Sequence, residues 1–438
     1  MLAPALNPRE AACLSRRLHR GAVQTASHPH KAPPGVRTQP GQPARLRACR
    51  RLPALPAACD NPARRSPMAK RGEIRMLERF HVRPEDEVRV LAEDLHETTT
   101  SIFTAMGVPP DEAAEAADVL VMADLRGVES HGVSNMLRFY VSSYRDGTMN
   151  PRPQLTVLRE RPGTATLDGD RGLGIVHGRR AMELAIEKAR NVGVGAVTLN
   201  NSRHLGAVGH FARIATEHDM VGMCLSAAGN TVVPTFGAIT RLGTNPISIA
   251  APTGSLPVFL FDAATSAVAG NKIMLARRLG AEMAPGWVAA EDGTPLMHPT
   301  PAPAGYGLDL RQLPLGGNRE QGSHKGYGLA LMVEILSAIL SGAPALVVDK
   351  TTGYKHFFAA WDIEAFCDLD VFKRNMDDLL QTMLDTPPAP GEQRVIYPGL
   401  PEYEAEEERT ERGIPLHPEV IAWFDTTTDE LGLARLRR

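Results

Sequence analysis

Apolar residues recur along this chain first at helical spacing and later at strand spacing. After Pro84, the positions Val88, Leu91, Leu95, Ile102 and Met106 follow a helical repeat until Gly107 interrupts it. Pro109-Pro110-Asp111 starts a second helix through Ala113, Ala117, Leu120 and Ala123, which ends at Asp124-Leu125-Arg126-Gly127. A third helix is predicted over 133–144, stopping at Asp146-Gly147. The runs 155–158 and 164–167, split by Arg161-Pro162-Gly163, read as a hairpin. An amphipathic helix over 179–191 leads into a β-branched run over 194–199, and a further strand is predicted over 220–227. Residues 285–314 are rich in Pro and Gly and read as a long excursion. An apolar helix over 329–340, a strand over 357–361 and helices over 372–384 and 418–433 complete the pattern. Helices and strands mix without βα alternation or a repeat period, which predicts an α+β or mixed-sheet enzyme.

Composition narrows this picture. A chain of 438 residues exceeds the usual size of one core, so one large or two interleaved domains are expected. The apolar fraction of 43% is that of a soluble globular enzyme. A net charge of −2 gives no electrostatic argument for nucleic acid or an anionic membrane. No apolar run approaches the roughly 18 residues of a membrane span. Residues 1–75 are rich in Arg and Pro, poor in acids and without apolar periodicity, and are expected to be a disordered leader or a start-site error ahead of Met68 or Met76. Cys13, Cys49 and Cys59 fall in that segment. Cys224 and Cys367, the two in the body, are too few for a disulfide framework, so a reducing compartment, the cytoplasm, is expected.

Reactive residues gather at element boundaries. Asn200-Asn201-Ser202-Arg203-His204-Leu205-Gly206 ends the β-branched run and opens a helix-like segment over 207–218. A histidine there has a ring that can meet a substrate, beside first-turn N–H groups that can meet an anion; the structural alternative is a ring satisfied by a nearby carbonyl. His131 lies between Ser130 and Gly132 just before the third helix, where Ser130 would cap and Gly132 would admit another group, with capping alone as the alternative. Gly243-Thr244-Asn245-Pro246 sets a hydroxyl and an amide in a turn that Pro246 fixes, ordinary turn chemistry being the alternative. Asp262 ends an apolar strand ahead of Ala263-Ala264-Thr265-Ser266, where it would face a ligand or cap the next helix through Thr265 or Ser266. His324-Lys325-Gly326 heads the apolar helix, where a lysine and free N–H groups suit phosphate and a solvated lysine is the alternative. Gly172-x-Gly174 with Gly178 misses the dinucleotide fingerprint by one residue and no acid ends the following strand, so the glycines are assigned to a tight turn rather than a Rossmann unit. His131 and His204 lack a third ligand at metal-like spacing, and no metal is expected.

Taken together, Asp124-Leu125-Arg126-Gly127 with Ser130-His131-Gly132, the 201–206 stretch, Leu242 with the turn to Pro246, Asp262 through Ser266, and Lys325-Gly326-Tyr327-Gly328 resemble, in order and spacing, the malate/L-lactate dehydrogenase family that lacks a Rossmann fold. That family includes ureidoglycolate dehydrogenase, sulfolactate dehydrogenase, diketogulonate reductase and Δ1-piperideine-2-carboxylate reductase. The resemblance implies an α+β fold whose mixed, mainly antiparallel sheet binds NAD or NADP between flanking helices, in a homodimer. It implies hydride transfer between nicotinamide C4 and C2 of a small 2-hydroxy/2-oxo acid. His204 matches the acid/base histidine, and Ser130 and His131 match positions lining the substrate. Gly243, Thr244, Asn245, Asp262, Ala264, Thr265, Ser266, Lys325 and Gly326 fall in segments that contact the cofactor. Where many members carry a carboxylate-clamping arginine this chain has Asn135, with Arg138 about one turn further on, and both are expected to bind substrate. Asn230 stands where some members carry a lysine. The expected organisation is a helical segment over 76–150, a cofactor-binding domain over 151–350 and returning elements over 351–438. The alternatives are reduction of a cyclic imine carboxylate, a ureidoglycolate-type dehydrogenase, or a catalytically idle dinucleotide-binding paralogue.

Overall fold

The computed structural model describes residues 82–303, 310–349, 351 and 353–438; the expectations for 1–75 lie outside them. A short strand β1 (Val88–Val90) precedes the helices α1 (Ala92–Ala105), α2 (Pro110–Leu125) and α3 (Val133–Arg145). Pro110 sits in the first turn of α2, where its missing N–H costs no hydrogen bond. The apolar stripes of these helices close on each other through Leu95, Ile102, Phe103, Leu120, Leu137 and Tyr140, all fully buried.

β2 (Thr156–Arg161) and β3 (Thr164–Asp168) form the expected antiparallel hairpin. α4 (Gly174–Val192) then crosses to β4 (Val194–Ser202), which runs parallel to β3. α5 (Val208–Thr216), β5 (Met220–Ala227), β6 (Ile247–Ala251) and β7 (Phe259–Ala263) follow. The excursion beyond them holds α6 (Gly270–Arg278) and the two-stranded pair β8 (Glu282–Met283) and β9 (Thr300–Pro301), with its own small core around Ile273, Met283 and Trp287. α7 (Ser323–Val333) precedes β10 (Tyr354–Asp362), α8 (Leu369–Leu384), α9 (Leu400–Arg412), β11 (Ile414–Leu416) and α10 (Pro418–Leu431).

The main sheet has seven strands in the order β2-β3-β4-β10-β5-β6-β7, antiparallel throughout except at β3–β4. This is the mixed, mainly antiparallel sheet expected. Its centre comes from late in the chain: β10 enters between β4 and β5. Lys355 to Ala360 are buried because both faces are covered. Phe358 meets Phe211 of α5 edge-on at 6.1 Å, while Phe357 and Ala359 pack with Leu225 and Val333 on the other face. β1 pairs with β11, so the chain's last elements return to its first helices.

Three details correct the sequence reading: Val88, counted into the first helix by its spacing, lies in strand β1 instead, and the helix starts at Ala92. α4 begins five residues earlier than 179, so Gly174 and Gly178 are helical rather than parts of a tight turn. They are small because other chain segments press on the helix: a Cβ on Gly178 would overlap the Phe211 ring, and one on Gly174 would meet the backbone of Arg203 and His204. The apolar helix predicted over 329–340 is not regular either. α7 gives way to a π-helical turn, Glu334–Ala338, and a 3-10 turn, Ile339–Ser341.

Candidate functional site

The end of β4 delivers Arg203 and His204 into a junction closed from several sides. Asn201, with φ of +48°, turns the chain out of the strand, and Gly174 lets the 203–204 backbone rest on the first turn of α4. His356, fully buried on β10, fixes that backbone: its Nε2–H donates to the Arg203 carbonyl at 3.0 Å, and its Nδ1 accepts from the Ser226 hydroxyl at 2.9 Å. Burial pushes the His356 ring down to about 4, so it stays neutral and keeps these roles near pH 7.

His204 is half-buried and its ring is held at one nitrogen. Nδ1 lies 2.7 Å from the Tyr140 hydroxyl on α3 and 3.2 Å from the Gly206 N–H. Nε2 has no hydrogen-bond partner among the described residues. Burial, then the neighbouring His131 and His356, bring the His204 ring down to about 3. The His131 ring stacks beside it, centroids 5.7 Å apart and planes 13° from parallel, and burial holds it at about 4. Ser130 Oγ is 2.9 Å from His131 Nδ1. Tyr354 of β10 meets His204 edge-on at 6.3 Å.

The loop that presents Ser130 and His131 is anchored to α2 and α9. Asp124 Oδ2 accepts the Val133 N–H at 2.7 Å, capping α3, and Gly132 is required because any Cβ there would strike that carboxylate. Arg409 of α9 donates to the Asp124 carbonyl at 2.6 Å and pairs with Glu129 at 2.8 Å. Asn271 of α6 donates to the Ser130 carbonyl at 2.8 Å. Asn135 Nδ2 donates to the Glu129 carbonyl at 2.7 Å. Arg138 turns towards α10, 3.2 Å from Glu419 and over the Trp423 ring. Ser130, His131 and His204 thus come together, while the polar ends of Asn135 and Arg138 are engaged by the protein.

The segments expected to hold a cofactor join one another. Thr265 donates from its N–H and its hydroxyl to the Thr244 carbonyl, and from the hydroxyl to the Asn245 carbonyl as well, at 2.9–3.0 Å. The buried Asn245 amide donates to Glu334 at 3.0 Å and to the Ala330 carbonyl at 3.1 Å, which holds its backbone at φ of +38°. Gly243 packs on the Ala228 carbonyl, leaving no room for a Cβ. Ala264 is half-buried beside Thr265, and Ser266 donates to the Val268 carbonyl at 2.7 Å. Leu315 donates to the Thr265 carbonyl at 2.9 Å and packs against Gly326, bringing the head of α7 to this strand end. Lys325 is exposed there and has no ion-pair partner among the described residues. Asp262 caps α5 rather than the helix that follows it, accepting the Gly209 N–H at 2.6 Å, and so links this group to the segment carrying His204. The N–H groups at the head of α7 are not all free as expected, since Ser323 donates to the Asn318 carbonyl at 2.9 Å and Lys325 to the Gly322 carbonyl at 2.8 Å; the exposed Lys325 ammonium is the group there that fits a dinucleotide phosphate. Among the described residues, no group of three or more His, Cys, Asp or Glu could hold a metal, and no helix is long and apolar enough to cross a membrane.

Sequence reasoning missed Tyr140, His356, Tyr354, Asn271 and Glu334. Tyr140 reads as one more core position of α3, and the other four lie far along the chain from the residues they meet. The polar run Tyr354-Lys355-His356 at the entry to a buried strand was the one available signal.

Comparison with known proteins gives consistent findings. The family model for malate/L-lactate dehydrogenase matches residues 90–424. A malate dehydrogenase of Pyrococcus abyssi is 40% identical over 367 residues, 82% of this chain and 99% of that protein. An L-sulfolactate dehydrogenase of Methanocaldococcus jannaschii is 35% identical over 358 residues, covering 80% and 97%. Among solved structures, malate dehydrogenase from Pyrococcus horikoshii superposes with a TM-score of 0.73 at 36% identity, covering 81% of this chain and 99% of that one. Malate dehydrogenase from Entamoeba histolytica gives 0.74 at 30% identity, covering 80% and 99%.

Proposed function

This chain belongs to the malate/L-lactate dehydrogenase family, and from that premise we propose that it is an NAD(P)-dependent dehydrogenase of small 2-hydroxy acids, with His204 as its acid/base. The observation that carries the assignment is the His204 ring itself, gripped at Nδ1 and open at Nε2, stacked beside His131. Lys325 and the head of α7, with the backbone of Gly243, Thr244, Asn245, Ala264, Thr265, Ser266 and Gly326 and the Asp262 carboxylate, would hold the dinucleotide. When bound, its nicotinamide supplies the hydride acceptor or donor.

In oxidation, His204 Nε2 takes the proton of the substrate's C2 hydroxyl; in reduction it returns that proton to the developing alkoxide. Such acid/base help is worth about 10²–10⁴-fold. His131 and Ser130 orient the oxygen-bearing carbon against the ring, shortening the transfer. Both rings are neutral near pH 7, so an incoming carboxylate meets no full charge from either; its attraction for a proton on His204 would draw that group up towards the working range. Asn135 and Arg138 would tune which acid is accepted. The relatives named for malate and sulfolactate support substrates carrying a second acidic group.

A second copy of this chain would cover the exposed apolar stripe that runs from Leu331 of α7 through Ile335, Ile339 and Leu340 in the turns after it, which supports a homodimer. The test of the catalytic reading is an NADH and NADPH oxidation screen over pyruvate, oxaloacetate, 2-oxoglutarate, sulfopyruvate, oxalurate and piperideine-2-carboxylate, repeated with His204→Ala. The variant should bind reduced cofactor, by fluorescence, while losing about 10²-fold or more of its turnover. Near-normal turnover in His204→Ala would refute the role.

A further inference from the structure

We propose that the segment from Leu331 to Ser341 links subunit association to cofactor binding, with a second copy of this chain on its outer face and the Gly243–Asn245 turn held from its inner face by Glu334. The inference rests on the cofactor and homodimer readings and joins them.

This segment, the end of α7 with the π and 3-10 turns after it, wears its polarity reversed. Glu334, Ser337 and Ser341 are buried, whereas Leu331, Met332, Ile335, Ile339 and Leu340 are between 38% and 60% exposed. A surface helix ordinarily does the opposite. Its apolar hold on the sheet is confined to Val333, which packs with Leu225 and Phe357, and to the half-buried Leu336. In water this pose leaves most of the large apolar side chains uncovered while burying a carboxylate. It is firmly held only when the outer face is covered. Between Gly326 and Val348 the one charged residue is Glu334, which faces inwards, so the outer face carries no charge and matches an identical face across a twofold axis.

The inner face reaches the turn expected to meet the cofactor. Asn245 donates one Nδ2–H to Glu334 Oε1 at 3.0 Å and the other to the Ala330 carbonyl at 3.1 Å, while its Oδ1 accepts the Ala228 N–H at 3.3 Å. Both amide acceptors belong to the helix. They hold Asn245 at φ of +38°, a left-handed bend directly before Pro246, where extended backbone is favoured. Lys355, fully buried on β10, favours the Glu334 carboxylate against its burial. The carbonyls of Thr244 and Asn245 are spent on Thr265. The N–H groups of Gly243, Thr244 and Asn245 have no acceptor among the described residues, and successive unspent N–H groups in such a bend suit the diphosphate of a dinucleotide.

The two faces therefore act on each other. With its outer face bare, the segment loosens, Asn245 loses both amide acceptors and the bend is populated only part of the time. Affinity for a ligand falls by that fraction, so a bend kept about a tenth of the time binds cofactor about tenfold more weakly. Linkage is reciprocal, and a dimer holds two such turns. Cofactor saturating both chains then tightens the dimer by that factor twice over, about 100-fold.

The test is a fluorescence titration of the full chain with NADH and with NADPH, at protein concentrations above and below the dimer dissociation constant found by analytical ultracentrifugation. Binding should be about tenfold weaker below that constant, and saturating cofactor should tighten the dimer about 100-fold. Ile335→Asp puts a charge on the outer face and should give a monomer, folded by circular dichroism, that binds about tenfold more weakly at every concentration. Where the dimer is too tight to dilute, this variant decides. Glu334→Met cuts the inner link alone: it should dimerise, bind cofactor weakly at every concentration, and show no tightening of its dimer by cofactor. Glu334→Gln, which keeps an oxygen for Asn245, should regain most of the affinity. Wild-type affinity that stays level across the dilution that splits the dimer overturns the proposal, as does an Ile335→Asp monomer that binds like the wild type. A chain that binds cofactor but never dimerises removes the homodimer reading and the proposal with it. A dimer that binds neither cofactor removes the cofactor reading instead, and the proposal again falls.

Discussion

Gly174 lies at the first turn of α4, 30 residues before His204, yet its substitution should act on the site. A Cβ at 174 would stand 2.5 Å from the Arg203 carbonyl oxygen and 2.9 Å from that of His204. Carbon–oxygen contacts of this kind settle at about 3.3–3.6 Å, so the 203–204 backbone must retreat by roughly 1 Å. It cannot do so freely, because Arg203 is tied at its carbonyl to His356 at 3.0 Å and at its N–H to the Gly172 carbonyl at 3.0 Å. In stability two effects oppose each other. Alanine gains up to about 1 kcal/mol over glycine as a helix former, while overpacking costs about 1–3 kcal/mol. The net loss is then at most about 3 kcal/mol. In catalysis nothing offsets the shift: a displacement of about 1 Å can cost on the order of 10²-fold. Gly174→Ala should therefore melt within several degrees of the wild type and lose ten- to a hundredfold in kcat, by that same geometric argument. Gly178→Ala, one turn along the helix, would press on the Phe211 ring instead and should lose stability with little change in kcat. The assay is thermal unfolding beside steady-state turnover on the best substrate from the screen. A Gly174→Ala enzyme that is fully folded and within about threefold of wild-type kcat would show that the His204 segment is not positioned in this way.

Two further outcomes follow from buried groups. Burial lifts the Asp124 carboxyl from 3.8 to about 8, so the folded chain holds its proton more tightly than the unfolded one; this contribution is full below pH 3.8 and is lost as pH rises through about 8. Asp124→Asn keeps an oxygen for the Val133 N–H and should flatten that stretch of stability against pH in urea unfolding; an unchanged slope would assign the dependence elsewhere. Asn245→Ala removes hydrogen bonds to Glu334, to Ala330 and from Ala228, leaving buried polar groups unmet, and should cost about 2–4 kcal/mol by urea unfolding with a higher KM for cofactor. A loss below about 1 kcal/mol would mean water replaces the amide.

The hydrophobic pattern foretold most helices and strands because each buries one face, and periodicity records which. Ser130, His131 and His204, which converge, stand at element ends, where the sequence left a cap or a ring held by a carbonyl as the structural alternative to a site. What it could not carry is who meets whom. Tyr140 occupies a core position of α3, and nothing local shows that its hydroxyl ends on a ring 64 residues later. His356 lies 153 residues from the carbonyl it holds, in a strand whose central place in the sheet depends on pairing with both β4 and β5. The glycines of α4 looked like a turn because local sequence shows an absent side chain but not the neighbour that requires the absence. The π turn at Glu334 is hidden likewise: an apolar helix reads the same whether or not one residue is inserted into its ladder.

These long-range contacts separate the chemistry from the choice of substrate. His204 is fixed by Gly174 and His356 at its backbone and by Tyr140 and Gly206 at its ring, and Asp262 caps the helix that follows. Each of these contacts is made by the protein to itself and involves no group of the acid being oxidised. Asn135 and Arg138 stand outside that set, on the turns of α3 that follow His131, and their present partners are the Glu129 carbonyl, Glu419 and Trp423. If Asn135 and Arg138 meet substrate as proposed, exchanging either would alter which acid is accepted while the contacts that hold the His204 ring stay in place. Under that proposal the choice of acid sits on one face of α3, while β4, β10 and the core side of α3 hold His204.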